Sequence, residues 1–250
     1  VLRAYGTSDP GRVRPSNQDR FAIDEPLGLL IVADGMGGHR AGDVAAMLAV
    51  DTVLGYMRST AGTDEPSWPF GFERSISRDG NRLRTAILFA NLRVVESSGR
   101  IRDHAGMGTT IVAALVVGGR LSIGHVGDSR LYRVTDRAVR QITRDDSWVA
   151  ETIARHPDVD PEAFAHRPES RALTNVLGLR ACADVHVAEE PIAPGDALLL
   201  TTDGVHDLLS ERKLGRLIDE YDPAEAPGAI VRCAIARGSR DNCTAVVGYV

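Results

Sequence analysis

At 250 residues, the chain has the length of one large domain or two small ones. Its 43% hydrophobic and 25% charged content is that of a globular protein and excludes disordered and collagen-like classes. The net charge of -5 leaves no general footprint for nucleic acid, and apolar runs such as Ile111 to Val117 fall far short of the ~18 to 20 residues of a membrane helix.

The first fifteen residues carry Arg3, Arg12 and Arg14 and lack the apolar stretch of a secretory signal. The sequence starts at Val1 without an initiator methionine, so anchoring or sensory segments are expected outside it. Lys213 is the only lysine among 29 basic residues, a bias that genome composition explains, with arginine clamps for phosphate or carboxylate as the functional alternative. Cys182, Cys233 and Cys243 are odd in number and lack CxxC spacing. They predict neither a disulfide framework nor a thiolate zinc site, and a reducing, cytoplasmic compartment.

In chain order, Phe21–Asp24 and Leu27–Asp34 read as two strands around a Glu-Pro-Leu-Gly turn, and the run LLIVAD predicts burial of the second on both faces. Ala41–Arg58 reads as a helix whose apolar face is Val44, Met47, Leu48, Leu54 and Met57; Arg82–Ser97 repeats the type with Leu83, Ile87, Ala90 and Val94. The loop between them carries Trp68 and Phe70, expected to tuck back onto the surface. From Thr109 to Arg140 short apolar runs alternate with Gly-Gly, Gly-Asp and Thr-Asp, as in an antiparallel meander. Asp145–Arg155 and Pro161–Ala165 predict short helices in a polar excursion, a flap over about 144–172. Val185–Val187 and Asp196–Thr201 read as strands, Glu211–Asp219 and Pro223–Arg237 as helices, and Cys243–Val250 as a closing strand. No repeat or linker divides the chain, so residues 1–250 read as a single α+β domain with helices outside antiparallel sheets.

The chemistry concentrates where apolar strands stop at an aspartate beside a small residue: Asp34-Gly35, Asp203-Gly204, Gly127-Asp128 and Asp241-Asn242. Strand ends hold carboxylates rigidly at the open end of a sheet. Glycine lets the backbone approach closely enough for its carbonyl oxygen to act as a ligand. Converging carboxylates repel one another, which a bound cation relieves, and an oxygen-only set without cysteine or an ordered histidine pair favours Mg2+ or Mn2+. A lone Asp-Gly after a strand is commonly only a turn. Asp24, Asp136, Asp196 and Asp222 are read that way.

The order RPSNQD at Arg14 to Asp19, DGMGGH at Asp34 to His39, GTT at Gly108 to Thr110, GDSR at Gly127 to Arg130, LTNVLG at Leu173 to Gly178, Asp196 to Asp203-Gly204, and Asp241-Asn242 resembles the metal-dependent, type 2C (PPM) serine/threonine protein phosphatases in their bacterial form. The resemblance runs from about residue 5 to the end. It implies a four-layer α-β-β-α sandwich, two antiparallel β-sheets flanked by helices, with a dimetal site at one end and a flap subdomain. It implies Asp34, Asp203 and Asp241 as carboxylate ligands of two Mn2+ or Mg2+ ions, Asp34 bridging and Gly35 adding its carbonyl oxygen. A third ion would take Asp128 and Asp203. Arg14 matches the arginine that holds phosphate, and Asp19 a carboxylate that orients water on the metals.

Met36 stands where animal members carry a histidine, which leaves the general acid open, and Gln18 stands where some relatives have glutamate. Arg144-Asp145-Asp146-Ser147 replaces a common Asp-His-Ser. The implied activity is hydrolysis of phosphoserine and phosphothreonine in proteins by a dimetal-activated water, opposing bacterial Ser/Thr kinases. The kinases and their substrates are the expected partners, and a monomer is expected. None of the three cysteines lies in a cysteine-phosphatase loop, and Cys243 reads as a buried strand residue. His39 reads as a hydrogen-bonding residue at a helix start rather than a ligand, and the other six histidines as surface or core. Arg155, Arg167 and Arg171 of the flap read either as contacts to an acidic phosphopeptide or as solvated charges. Two alternatives stay open: a silent phosphoprotein-binding module on the same fold, and hydrolysis of a small phosphate ester, the latter without any Gly-rich nucleotide loop.

Overall fold

The computed structural model describes residues 2–38, 41–63, 67–135, 138–156 and 172–250. The expectations for His39, Asp136, the helix Pro161–Ala165, His166, Arg167 and Arg171 lie outside these residues.

Eleven strands among the described residues form two antiparallel sheets. One runs in the order β1 (Arg3–Asp9), β11 (Cys243–Tyr249), β10 (Ala197–Thr201), β7 (Arg130–Thr135), β8 (Ala138–Gln141). The other runs β2 (Asp19–Asp24), β3 (Leu29–Met36), β5 (Ile111–Val117), β6 (Arg120–Val126), β9 (His186–Pro191), with β4 (Gly108–Thr109) paired to the end of β3. The expected single meander is therefore split. β5 and β6 lie in one sheet and β7 and β8 in the other, because the chain crosses between sheets at Gly127, whose φ of 99° suits glycine.

Alternation along the central strands builds three apolar layers. In β3, Leu30 and Val32 face the opposite sheet while Leu29, Ile31 and Ala33 face helices, so LLIVAD is buried on both sides as its pattern predicts. In β10, Leu198 and Leu200 fill the space between the sheets, and Ala197 and Leu199 pack toward α5 (Glu211–Glu220) and α6 (Ala226–Ala236). The order helix, sheet, sheet, helix is the expected four-layer sandwich.

Three further elements differ from the sequence reading. Helix α1 (Ala41–Ser59) buries Ala45, Ala46, Ala49, Val50 and Val53 as well as Met57, whereas Val44, Leu48 and Leu54 are only half-buried and Met47 is 41% exposed. Small residues win that face because α1 lies close on the sheet: a Cβ built on Gly35 would sit 2.0 Å from the Gly42 carbonyl oxygen. Strand β1 goes unread because RAYGTSD has no apolar alternation, yet it pairs with β11 over seven residues. Helix α2 (Arg78–Arg100) begins earlier than its apolar period suggests, since Ser77 caps it by accepting from Gly80 N at 3.1 Å. Its predicted face, Leu83, Ile87, Ala90 and Val94, is buried. Phe70 packs edge-on against Phe89 of α2 at 5.0 Å, while Trp68 pairs with Phe72.

The flap begins with α3 (Trp148–Arg155), capped by Ser147. Its two ends meet: Ser147 and Leu173 form a bridge, Trp148 N donates to Ala172 O at 2.8 Å, and Thr174 N donates to Asp146 O at 2.9 Å. Arg155 pairs with Glu151 one turn earlier on the exposed face of α3, the solvated-charge reading.

Candidate active site

Antiparallel pairing brings the motif aspartates to one end of the sandwich. β10 ends two residues before Asp203, β11 begins two residues after Asp241, and β7 begins two residues after Asp128; the pairs Thr201 with Arg130 and Thr201 with Ala245 fix all three at the same edge. In the other sheet Asp19 lies directly opposite Asp34 across β2 and β3.

Asp19 is buried where the two sheets meet. Its Oδ2 accepts from Thr202 Oγ at 2.8 Å and Thr244 Oγ at 2.6 Å, both from the opposite sheet, while Oδ1 is buried without a hydrogen bond. Burial, opposed by those two hydroxyls and reinforced by Asp203 and Asp241, pushes its pKa up to about 7. Asp34 is raised well above the usual carboxylate range, first by burial and then by Asp19, Asp203, Asp128 and Asp241. Asp128 is raised to about 7 by burial and by Asp203, Asp145 and Asp207. The set is thus starved of positive charge, and the orphaned Asp19 oxygen points the same way.

Arg14 supplies one cation. Its Nη2 lies 2.5 Å from Asp241 Oδ2, and the pair lines a cleft of ≈ 170 Å³ with Asp203, Gly204, Ser239 and Arg240. Asp34, Asp203 and Asp241 do not bring ligand atoms all within 4.8 Å of one another, and a cation that takes Asp241 competes with Arg14 for it. The donor set is carboxylate and carbonyl oxygen, which fits hard divalent ions such as Mn2+ and Mg2+.

The remaining motifs hold this cluster in place. Thr110 Oγ accepts from Asp34 N at 3.0 Å, Thr109 Oγ donates to Asp34 O at 2.8 Å, and Thr110 Oγ meets Ser129 Oγ at 2.7 Å. The GTT run therefore clamps the Asp34 backbone and ties it to the loop carrying Asp128. Thr109 also exchanges both backbone bonds with Leu177, and Gly178 N donates to Asn91 Oδ1, which anchors LTNVLG beneath the site. Asn242, read only as part of a motif, proves central: its Oδ1 accepts from Gln18 N and its Nδ2 donates to Pro10 O and Ser16 O, pinning the loop that bears Arg14. Thr202 and Thr244 are the partners that sequence reasoning missed, since a threonine in a strand carries no signal beyond β propensity.

The glycines beside the aspartates have a steric role in addition to the expected carbonyl access. A Cβ on Gly204 would meet the Asn242 carbonyl oxygen at 2.0 Å. Gly204→Ala is accordingly expected to cost about 2 kcal/mol, a fall in Tm of roughly 4 to 8 °C by thermal denaturation. An unchanged Tm would show that the backbone gives way there. Cys243 packs against this contact and its thiol is pushed up to about 11 by burial, the inert strand cysteine expected.

Asp145 forms a two-pronged ion pair with Arg130 of GDSR, and Asp146 accepts from Gly127 N, Asn175 Nδ2 and His186 Nε2. Both carboxylates that replace the Asp-His-Ser segment are thus engaged by neighbouring loops and strands. The histidines expected to be scattered are not all so: His125 and His186 pair across β6 and β9.

The sequence matches the model of the family described as protein phosphatase 2C over residues 12–230. It is 32% identical to the serine/threonine protein phosphatase PstP of Mycobacterium tuberculosis over 250 residues, covering 100% of this chain and 45% of that protein. It is 30% identical to the serine/threonine phosphatase stp of Listeria monocytogenes, covering 98% and 95%. The crystal structure of the PstP catalytic domain in complex with two manganese ions superposes with a TM-score of 0.79 at 32% identity, covering 100% of this chain and 98% of that one. The chain spans about half the length of the mycobacterial relatives it matches. With the sandwich, the motif order and these similarities together, the chain belongs to the protein phosphatase 2C family.

Proposed function

We propose that the chain is a metal-dependent protein phosphatase that hydrolyses phosphoserine and phosphothreonine and opposes Ser/Thr kinases, with phosphorylated proteins as its partners. The observation that carries the reading is the crowding of Asp19, Asp34, Asp128 and Asp203 against Asp241 and Arg14 at one end of the sandwich, with carboxyl groups driven above their usual range. Asp34, Asp203 and Asp241 with the Gly35 carbonyl are assigned to two Mn2+ or Mg2+ ions, and Asp128 with Asp203 to a third. When bound, such ions supply an activated water and neutralise phosphoryl charge.

The chain's own residues set the rest of the chemistry. Asp19 hangs from two threonine hydroxyls by Oδ2 and keeps a buried Oδ1 without a hydrogen-bond partner, the atom assigned to orient water. Arg14 is 53% exposed at the mouth of the cleft, so its planar fork can leave Asp241 and receive two phosphoryl oxygens. Met36 closes the end of β3 against Gly108 and offers no proton, so leaving-group protonation falls to solvent or another group. In this reading residues 1–250 make one catalytic domain, and the flap over about 144–172 leaves and rejoins the scaffold at the bridge of Ser147 with Leu173.

The test is phosphate release from a phosphothreonine peptide with Mn2+, with Mg2+ and with chelator, alongside a small aryl phosphate. Release that requires metal, and a kcat/KM about 30-fold lower in Arg14→Ala from the loss of about 2 kcal/mol of charge-assisted hydrogen bonding, is expected. Stable phosphopeptide binding without release would favour the silent module. Among the described residues no helix is long and apolar enough to cross a membrane. The expected cytoplasmic, monomeric state belongs to this proposal.

A further inference from the structure

Beside the carboxylate centre, on the far side of the Gly127 loop, lies a cavity of ≈ 520 Å³ whose wall includes His125, Asp146, Glu151, Arg180, Cys182 and His186. His125 of β6 and His186 of β9 are direct cross-strand partners, so their side chains project from the same face. The imidazoles stack with centroids 4.9 Å apart. Asp146 reaches in from the base of the flap, its Oδ1 2.8 Å from His186 Nε2. Among the described residues these are the only three such side chains whose ligand atoms all lie within 4.8 Å of one another.

We propose that His125, Asp146 and His186 form a second metal site, separate from the carboxylate centre, that takes a divalent transition ion of the zinc type. Two imidazoles and one carboxylate are the donor set of Zn2+ rather than of Mg2+. The separations bracket what zinc needs: ligands about 2.0 to 2.1 Å from a tetrahedral ion stand about 3.3 Å apart, between the 2.8 Å contact and the 4.8 Å limit. His186 is 43% exposed, so a small rotation of its ring reaches the tetrahedral spacing without displacing core residues.

The surrounding bonds set each ligand as metal sites require. His125 Nε2 lies 2.9 Å from the Arg144 carbonyl oxygen, which can only accept, so Nε2 carries the proton and Nδ1 keeps its lone pair. Asp146 Oδ2 is fixed by Gly127 N at 2.9 Å and Asn175 Nδ2 at 2.7 Å, which leaves Oδ1 for the ion. Binding replaces the proton between His186 Nε2 and Asp146 Oδ1 by the cation: in a neutral ring the proton moves to Nδ1, and an imidazolium instead gives its second proton to solvent. Three protein ligands leave a fourth position facing the cavity. An ion here would join β6, β9 and the flap base to the loop that carries Asp128.

Equilibrium dialysis of the full chain against Zn2+, with Mg2+ in excess to fill the carboxylate centre, tests this. One bound equivalent is expected, retained in Asp34→Asn and weakened at least about tenfold in His186→Gln, with a loss of similar size in Asn175→Ala, which removes the donor that orients Asp146. Circular dichroism melts establish that both variants are folded. Equal zinc binding by parent and His186→Gln, or no zinc bound by the parent, overturns the site; either result leaves the phosphatase reading standing, because that reading is tested by phosphate release.

Discussion

Asp34→Asn is expected to lower phosphate release from a phosphothreonine peptide by at least about 10³-fold at saturating Mn2+, while the protein stays folded. Asp34 stands opposite Asp19 in register, and its carboxyl feels Asp203, Asp128 and Asp241 as well. Asparagine keeps the shape but removes the negative charge that Asp34, under the proposed assignment, would supply to the ions. A loss of about 4 kcal/mol of metal and transition-state stabilisation corresponds to that factor. The backbone bonds from Thr109 and Thr110 do not involve the carboxyl, so the strand end keeps its place. Measured without metal at pH 8, the variant should melt no lower than the parent, because one crowded charge has gone. Activity within tenfold of the parent would sink the assignment of Asp34, and a collapse of Tm would show that its role is structural instead.

The second large effect is on stability. Metal-free protein is expected to melt at least about 2 to 3 °C lower at pH 8 than at pH 6.5, and saturating Mn2+ to remove most of the difference. The sign follows from proton linkage. Asp19 and Asp128 have folded pKa values of about 7 against an ordinary 3.8, so between these values the folded chain holds more protons than the unfolded one. Stability therefore falls as pH rises through the window, by about 0.8 kcal/mol for each group between pH 6.5 and 8 and about 1.6 kcal/mol for the two, with Asp34 acting in the same direction. On a chain of this size each kcal/mol moves Tm by about 2 to 4 °C. His206 and His125 work in the opposite direction, since burial lowers both: their unfolded imidazoles are half-protonated at about pH 6.5 and neutral by pH 8, which returns up to about 0.4 kcal/mol for each over the same window. Below about pH 6.5 the histidines oppose the carboxylates more strongly. Ions at a hundredfold excess over their dissociation constant add about 2.7 kcal/mol. Calorimetry at the two pH values, with and without Mn2+, decides it; a Tm independent of pH would mean that the carboxyls are better solvated than their packing indicates.

What was legible in the sequence was what periodicity and spacing carry. LLIVAD and ALLLT each sit between two apolar layers and read as central strands, and every motif aspartate lies at the strand end its residues suggest. Strand β1 was not legible, because an edge strand of part-buried small polar residues has no alternating pattern. The alanine face of α1 was misread for a related reason: close approach of helix to sheet favours small side chains, while a hydrophobic scale rewards large ones. The division of the meander between two sheets depends on one glycine at positive φ, which signals a turn but not its destination. Partners far apart in sequence were the hardest to see. Thr202 and Thr244 reach Asp19 across 183 and 225 residues, and the pairing of His125 with His186 exists only once β6 and β9 lie side by side.

The joined ends of the flap bear on how such enzymes diversify. Ser147 and Leu173 close the excursion with a single rung, so the chain leaves the scaffold and returns to it at nearly the same point. A segment attached in this way is an interchangeable cassette: its length and composition can drift, or be grafted from one relative to another, without shifting the register of any strand that carries an aspartate. Substrate choice can then evolve at one end of the molecule while the chemistry stays fixed.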